Sequence, residues 1–149
     1  MASENPAPEL LAIVVCDETI RDERTKKRTL VGLFNRIHSH KFPCVHAKLH
    51  VFVSLTNGRG RAQGELRLVS RETNEVISGL RGGIRFPDPL SVVEMDFALA
   101  QVAFPKPGQY SFDFLCDGAL IGSRPFQVVQ ADPPPQPPQA GDEVQPDHP

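Results

Sequence analysis

The chain has 149 residues, 40% hydrophobic and 23% charged, with a formal net charge of −2, three cysteines and no tryptophan. That length supplies one domain able to bury about two-thirds of its unfolded surface. The near-neutral balance argues against a dedicated nucleic-acid binder, no run approaches the roughly 20 apolar residues of a bilayer span, and the odd cysteine count argues against a disulfide framework and for a reducing compartment, the cytoplasm.

Charge is unevenly spread. All 16 Lys and Arg lie between Arg21 and Arg124, and 12 of the 18 acids lie between Leu10 and Gln130, so this segment carries +4 while the ends carry −6 with no Lys or Arg. Seven of the 15 prolines follow position 130. The composition divides the chain into a disordered N-terminus (1–9), a β-sandwich domain (10–130) and a disordered, Pro-rich acidic tail (131–149).

In chain order, the first strand is expected over 10–16, apolar on both faces and therefore central. Acid precedes it and Asp17-Glu18 follows, which suits a buried strand and not an export signal. A charged loop (21–28) leads to a second strand over 29–38. The third, 47–55, alternates: Leu49, Val51, Val53 and Leu55 face inward, while Lys48, His50 and Ser54 face outward. Asn57-Gly58 reads as a hairpin turn before 64–70, Thr73-Asn74 turns the chain into 76–80, and Gly82-Gly83 suggests a bend before Ile84 and Phe86. Val93, Met95, Phe97 and Leu99 mark the next strand.

Phe104-Pro-Lys-Pro-Gly-Gln-Tyr110 then feeds a strand whose alternate residues Tyr110, Phe112, Phe114 and Cys116 share one side. Asp117-Gly118 offers two positive-φ positions for a tight hairpin, and Pro125, lacking a ladder donor, places the last strand's start at a sheet edge. No window carries a 3.6-residue apolar repeat long enough for a helix. These elements predict an all-β, antiparallel two-sheet sandwich of the immunoglobulin-like kind, with about seven or eight strands and Greek-key wiring.

Chemistry-bearing residues are few. His38, His40, Cys44 and His46 offer four nitrogen and sulfur donors of the kind tetrahedral zinc takes, although their spacing matches no established zinc module. The alternative is a metal-free, histidine-rich loop capping the sandwich end. Cys44, following Pro43, is the cysteine expected to be exposed and could pair with His46 as a nucleophile; Cys16 and Cys116 read as small buried apolar residues. Asp17, Glu18, Asp22 and Glu23 could supply oxygens to calcium, but Arg21, Arg24, Lys26, Lys27 and Arg28 are interleaved with them. The same basic residues lack interleaved aromatics for base stacking. Pro134-x-x-Pro137 matches a minimal docking spacing, without a flanking arginine.

Two sets of residues carry a resemblance. The opening set is Cys16, Asp17, Asp22, Lys27, Leu30, Gly32, Phe34 and Ile37, followed by Phe42-Pro43. The closing set is Phe104-Pro105, Pro107-Gly108, Tyr110, Phe112, Asp117-Gly118, Ile121-Gly122, Phe126 and Val128. Together they resemble a small bacterial family of single-domain proteins known as a domain of unknown function, over nearly all of 10–130. The resemblance implies the sandwich fold and no catalytic residue.

The resulting expectation is a non-enzymatic cytoplasmic interaction module with an unknown protein partner, binding neither nucleic acid nor membrane and carrying no cofactor. Its loops 17–28 and 38–46 are the expected contact points. A zinc-binding domain and a cysteine-dependent enzyme are the rival readings.

Overall fold

A computed structural model describes residues 6–133. Residues 1–5 and 134–149, which include most of the expected disordered ends and the Pro134-x-x-Pro137 spacing, lie outside the described residues.

Nine strands and no helix occupy the described residues: β1 (Glu9–Arg21), β2 (Arg28–Leu33), β3 (Arg36–Ser39), β4 (Cys44–Thr56), β5 (Gly60–Ser70), β6 (Val76–Phe86), β7 (Val93–Phe104), β8 (Gly108–Cys116) and β9 (Ala119–Gln130). One sheet has the order β2-β1-β4-β7 and the other β3-β9-β8-β5-β6. All pairings are antiparallel except β3 with β9, which run parallel from Arg36↔Gln127 to Ser39↔Gln130. Hairpins join β1–β2, β5–β6 and β8–β9, and every other connection crosses between the layers.

Period-two sorting builds the core. Leu49, Val51, Val53 and Leu55 of β4 face Leu66, Leu68, Phe112 and Phe114 across the layers, all of them fully buried or nearly so. Burial of each such side chain is worth about 1.5–3 kcal/mol. An aromatic centre lies towards one end: Phe126 is 5.3 Å from Phe112, 5.8 Å from Phe104 and 5.7 Å from Phe34, ring centre to ring centre. Phe104 meets Tyr110 edge-on at 5.2 Å. The Tyr110 hydroxyl, at the entry to β8, donates to the Lys106 carbonyl at 2.6 Å and ties the β7–β8 turn to the core.

Several local expectations are corrected. The single strand over 29–38 is two strands in different layers; the chain changes sheet at Phe34-Asn35, where Phe34 N–H donates to Val15 and Gln127 N–H to the Asn35 carbonyl. Of its apolar residues Ile37 enters the core between the layers and Phe34 packs against it, while Val31 and Leu33 on β2 are exposed. Asn57-Gly58 closes no hairpin, because β4 and β5 belong to opposite sheets. Gly58 is needed for a different reason: a Cβ there would stand 2.5 Å from the buried Phe86 ring.

Gly82-Gly83 makes no bend either. β6 runs straight through it, opposite Gly64 and Gln63, and the ladder's irregularity falls at Leu68/Val69. Gly64 and Gly82 instead leave inner-face space that the Met95 methyl fills, 3.2 and 3.0 Å from where their Cβ atoms would be. Asp117 (φ 47°) and Gly118 (φ 83°) adopt the left-handed turn expected of them. β9 begins at Ala119, ahead of Pro125, which sits in the stretch that β3 leaves uncovered.

The chain enters the sandwich at one pole, where Pro6–Pro8 lie against Asp117 and Ala119 and Leu10 packs on Gly122. It leaves at the other, where Ala131 N–H donates to Ser39.

Candidate functional site

The four donor residues proposed for zinc are dispersed. His38 is exposed on β3 opposite Val129, and His40 is exposed in the following bend. Cys44 opens β4 with its side chain turned into the core opposite Phe104, and His46 lies 5.5 Å from the Phe34 ring, centre to centre. Cys44 and His46 share an inner face, as alternate strand residues must, but His38 is on β3 of the other sheet and His40 in the bend after it. Among the described residues no three His, Cys, Asp or Glu side chains are placed to hold a metal ion.

The expected exposure of Cys44 is corrected. Cys44 is only 8% exposed, because the ladder begins at Cys44 itself, directly after Pro43, and its side chain turns into the core opposite Phe104. Cys16 and Cys116 are buried as expected. Burial, then the negative charge of Asp96, pushes the Cys16 thiol above its ordinary value; burial, then Asp117, does the same to Cys116. Thiolate is the reactive form, so both cysteines are held in the unreactive one. Alkylation of the native protein by iodoacetamide at pH 8.5 should therefore be far slower than in denaturant, and a thiol reacting at the unfolded rate would refute the placement.

Within the acidic stretch, Asp22 serves the backbone. Asp22 accepts hydrogen bonds from the N–H groups of Arg24 and Thr25 at 2.8 Å, shaping the β1–β2 turn, and these donors hold its carboxyl below the ordinary value. Its oxygens are thus engaged in forming a turn.

One polar cluster was not anticipated. β1 pairs with β4 only as far as Cys16↔His50; its second half pairs with β2 instead. This hairpin reaches past β4 to β7: the Thr19 hydroxyl donates to Asp96 at 2.5 Å, and Arg28 pairs with Glu94 at 2.9 Å. Beneath it His50 is 9% exposed, with Nδ1 3.0 Å from Asp96 and 3.4 Å from Thr19. An ionised carboxylate only accepts, so Nδ1 carries the proton and donates to it. His50 Nε2 is buried without a hydrogen-bond partner among the described residues. The thiol nearest in the ladder, Cys16, instead directs its sulfur to the Glu18 carbonyl at 3.5 Å. Carboxylate, imidazole and thiol therefore share one area, with the thiol bonded to the backbone and the imidazole to the carboxylate. No sequence spacing foretold this cluster, since Thr19 and Asp96 are 77 residues apart.

The open sides of the sandwich are the other feature. β6 ends one sheet and β7 ends the other, and they lie side by side. On the outer face of the β5–β6 ladder, Glu65 opposes Arg81, Gln63 opposes Gly83, and Arg61 opposes Arg85. Glu65 is bound by Arg67 at 2.8 Å, which lowers its carboxyl below the ordinary value, and Arg81 approaches it at 3.8 Å. Arg61 and Arg85 make no ion pair among the described residues. The β7 charges Glu94 and Asp96 are already taken by the β1–β2 hairpin.

These features define an all-β two-sheet sandwich with internalised thiols and, on the β6–β7 side, adjacent open edges of both sheets. The chain belongs to the Family of unknown function (DUF6941), whose model matches residues 11–129. That agrees with the resemblance carried by its opening and closing motifs. No curated protein matches it. Two solved structures of a glycosyl hydrolase family 2 (GH2) member from Bacteroides cellulosilyticus, one from strain DSM 14838, are similar to 58% and 68% of the chain at 20% and 18% identity, each with a TM-score of 0.40. The chain spans only 14% and 16% of those proteins' length. No helix among the described residues is long and apolar enough to cross a membrane.

Proposed function

We propose that this domain is a non-catalytic, immunoglobulin-like interaction module of the cytoplasm that binds another protein through the open side formed by β6 and β7. One observation carries this reading: two strands of 11 and 12 residues each end a sheet there, with a partner on one flank only. An unpaired strand edge presents a row of backbone donors and acceptors, the grip used in strand addition. Supporting it, the three cysteines and His50 are buried, so among the described residues the surface offers binding groups and no exposed thiol. The parallel β3–β9 closure and the Tyr110 tie support the immunoglobulin-like assignment, Tyr110 standing near the start of the penultimate strand.

A photo-crosslinking residue at Gly79 of β6 or Ala100 of β7, both exposed, should trap a protein in the source cells, whereas one at Gln109, on β8, should not. Trapping at Gln109 alone, or no trapping anywhere, would remove the reading.

A further inference from the structure

We infer that the free edge of β6 takes an extended acidic peptide segment as an added strand, with its carboxylates on Arg61, Arg81 and Arg85; this rests on the interaction-module reading and names the partner's chemistry. Residues 61, 63, 65 and 67 of β5 and 79, 81, 83 and 85 of β6 share the outer face, because alternate strand residues do. Two residues along this ladder, Glu65 and Arg81 are opposed and complementary. Arg61 and Arg85 are opposed and alike, an arrangement that destabilises a sheet.

Blocking unwanted pairing does not explain it. A single edge charge suffices for that, and Arg81 supplies one. A second, uncompensated pair raises the positive potential at the edge, which suits an anionic partner. Between Arg81 and Arg85 the outer-face residue is Gly83, and a Cβ placed there would have nothing within 4 Å. A glycine at such a point lets another backbone come close.

The register sets the pattern of the added strand. Arg81 and Arg85 are four residues apart on one face, so a strand beside β6 brings two side chains four residues apart against them. Carboxylates there can engage the guanidinium forks in charge-assisted pairs. Of the three intervening side chains, the middle one shares the outer face opposite Gly83, and the other two point the other way, beside Gly82 and Ile84, where small or β-branched apolar groups fit. The outer face holds no aromatic for base stacking, which favours a peptide over a single-stranded nucleic acid.

The probe is a fluorescein-labelled peptide of about eight residues, an ordinary strand length, alternating glutamate with threonine or valine. Titrated with the full chain at low salt, it should bind, and the Arg61→Glu/Arg85→Glu variant should bind about tenfold or more weakly. Lysine in place of glutamate should abolish binding, and Arg24→Glu/Lys26→Glu, on the β1–β2 turn, should leave it unchanged. The single change Arg61→Glu should raise the denaturation midpoint by relieving the like-charge pair, while Arg61→Glu/Arg85→Glu, which again opposes like charges, should keep a midpoint near that of wild type, which shows that its binding loss is not unfolding. Equal affinity of the wild-type and double variant overturns the assignment, as does no binding by wild type. A glutamate–glycine peptide binding as tightly overturns the added strand, and an oligonucleotide binding more tightly overturns the peptide. If crosslinking at Gly79 traps one protein equally in wild type and Arg61→Glu/Arg85→Glu, the acidic assignment falls while the interaction-module reading stands.

Discussion

Replacing Phe126 by Ala should lower stability by about 3–5 kcal/mol, the range for removing a buried aromatic ring. Phe126 is 1% exposed and its ring is shared by Phe34, Phe104 and Phe112, so three strands and the β2–β3 crossover lose contact at once. Rigid aromatic neighbours collapse poorly into a void, which places the loss towards the upper end. Leu120→Ala, at a largely exposed position on the same strand, should change stability by about 0.5 kcal/mol or less. Urea midpoints with unchanged slopes provide the measurement. A Phe126→Ala loss of about 1 kcal/mol or less would show that the aromatic centre is not packed as described.

The second large effect is expected at Asp96. Its carboxylate accepts from both His50 and Thr19, so Asp96→Ala leaves a buried imidazole whose second nitrogen has no partner either. Stranding a buried polar group costs about 1–3 kcal/mol. Removing both partners behaves differently: Asp96→Ala/His50→Leu should be less destabilised than Asp96→Ala alone, because no orphaned nitrogen remains. If the double variant instead shows the sum of the two single losses, the network contributes direct stability and the argument fails. Amide exchange in β2 should quicken in Asp96→Ala, since Thr19 loses its anchor to β7 while the exposed Arg28–Glu94 pair contributes little by itself.

Much of this fold could be read from residue order because its cues are local. Asp117-Gly118 carries its own turn conformation, and Tyr110, Phe112 and Phe114 sort by simple alternation. The misreadings are non-local. His50 and Ser54 point outward as alternation requires, yet are buried because β4 is flanked on both sides and the β1–β2 hairpin lies over His50. Gly82-Gly83 looked like a bend because glycine lowers strand preference, whereas the deciding factor was room for Met95 from the opposite sheet. Cys44 looked exposed because a proline precedes it; its facing depends on its partner Phe104, 60 positions later. Likewise, the opposition of Arg61 and Arg85 exists only once the β5–β6 register is fixed.

Entry and exit at opposite poles have a mechanical consequence. Tension applied to both ends would run along the lengths of β1 and β9. Each is held lengthwise by its neighbours, β1 by β4 and β9 by β8 and, in parallel, β3. Sliding either strand free requires many backbone bonds to break together, rather than one after another as in peeling. The domain is thereby suited to carry load in line with its long axis.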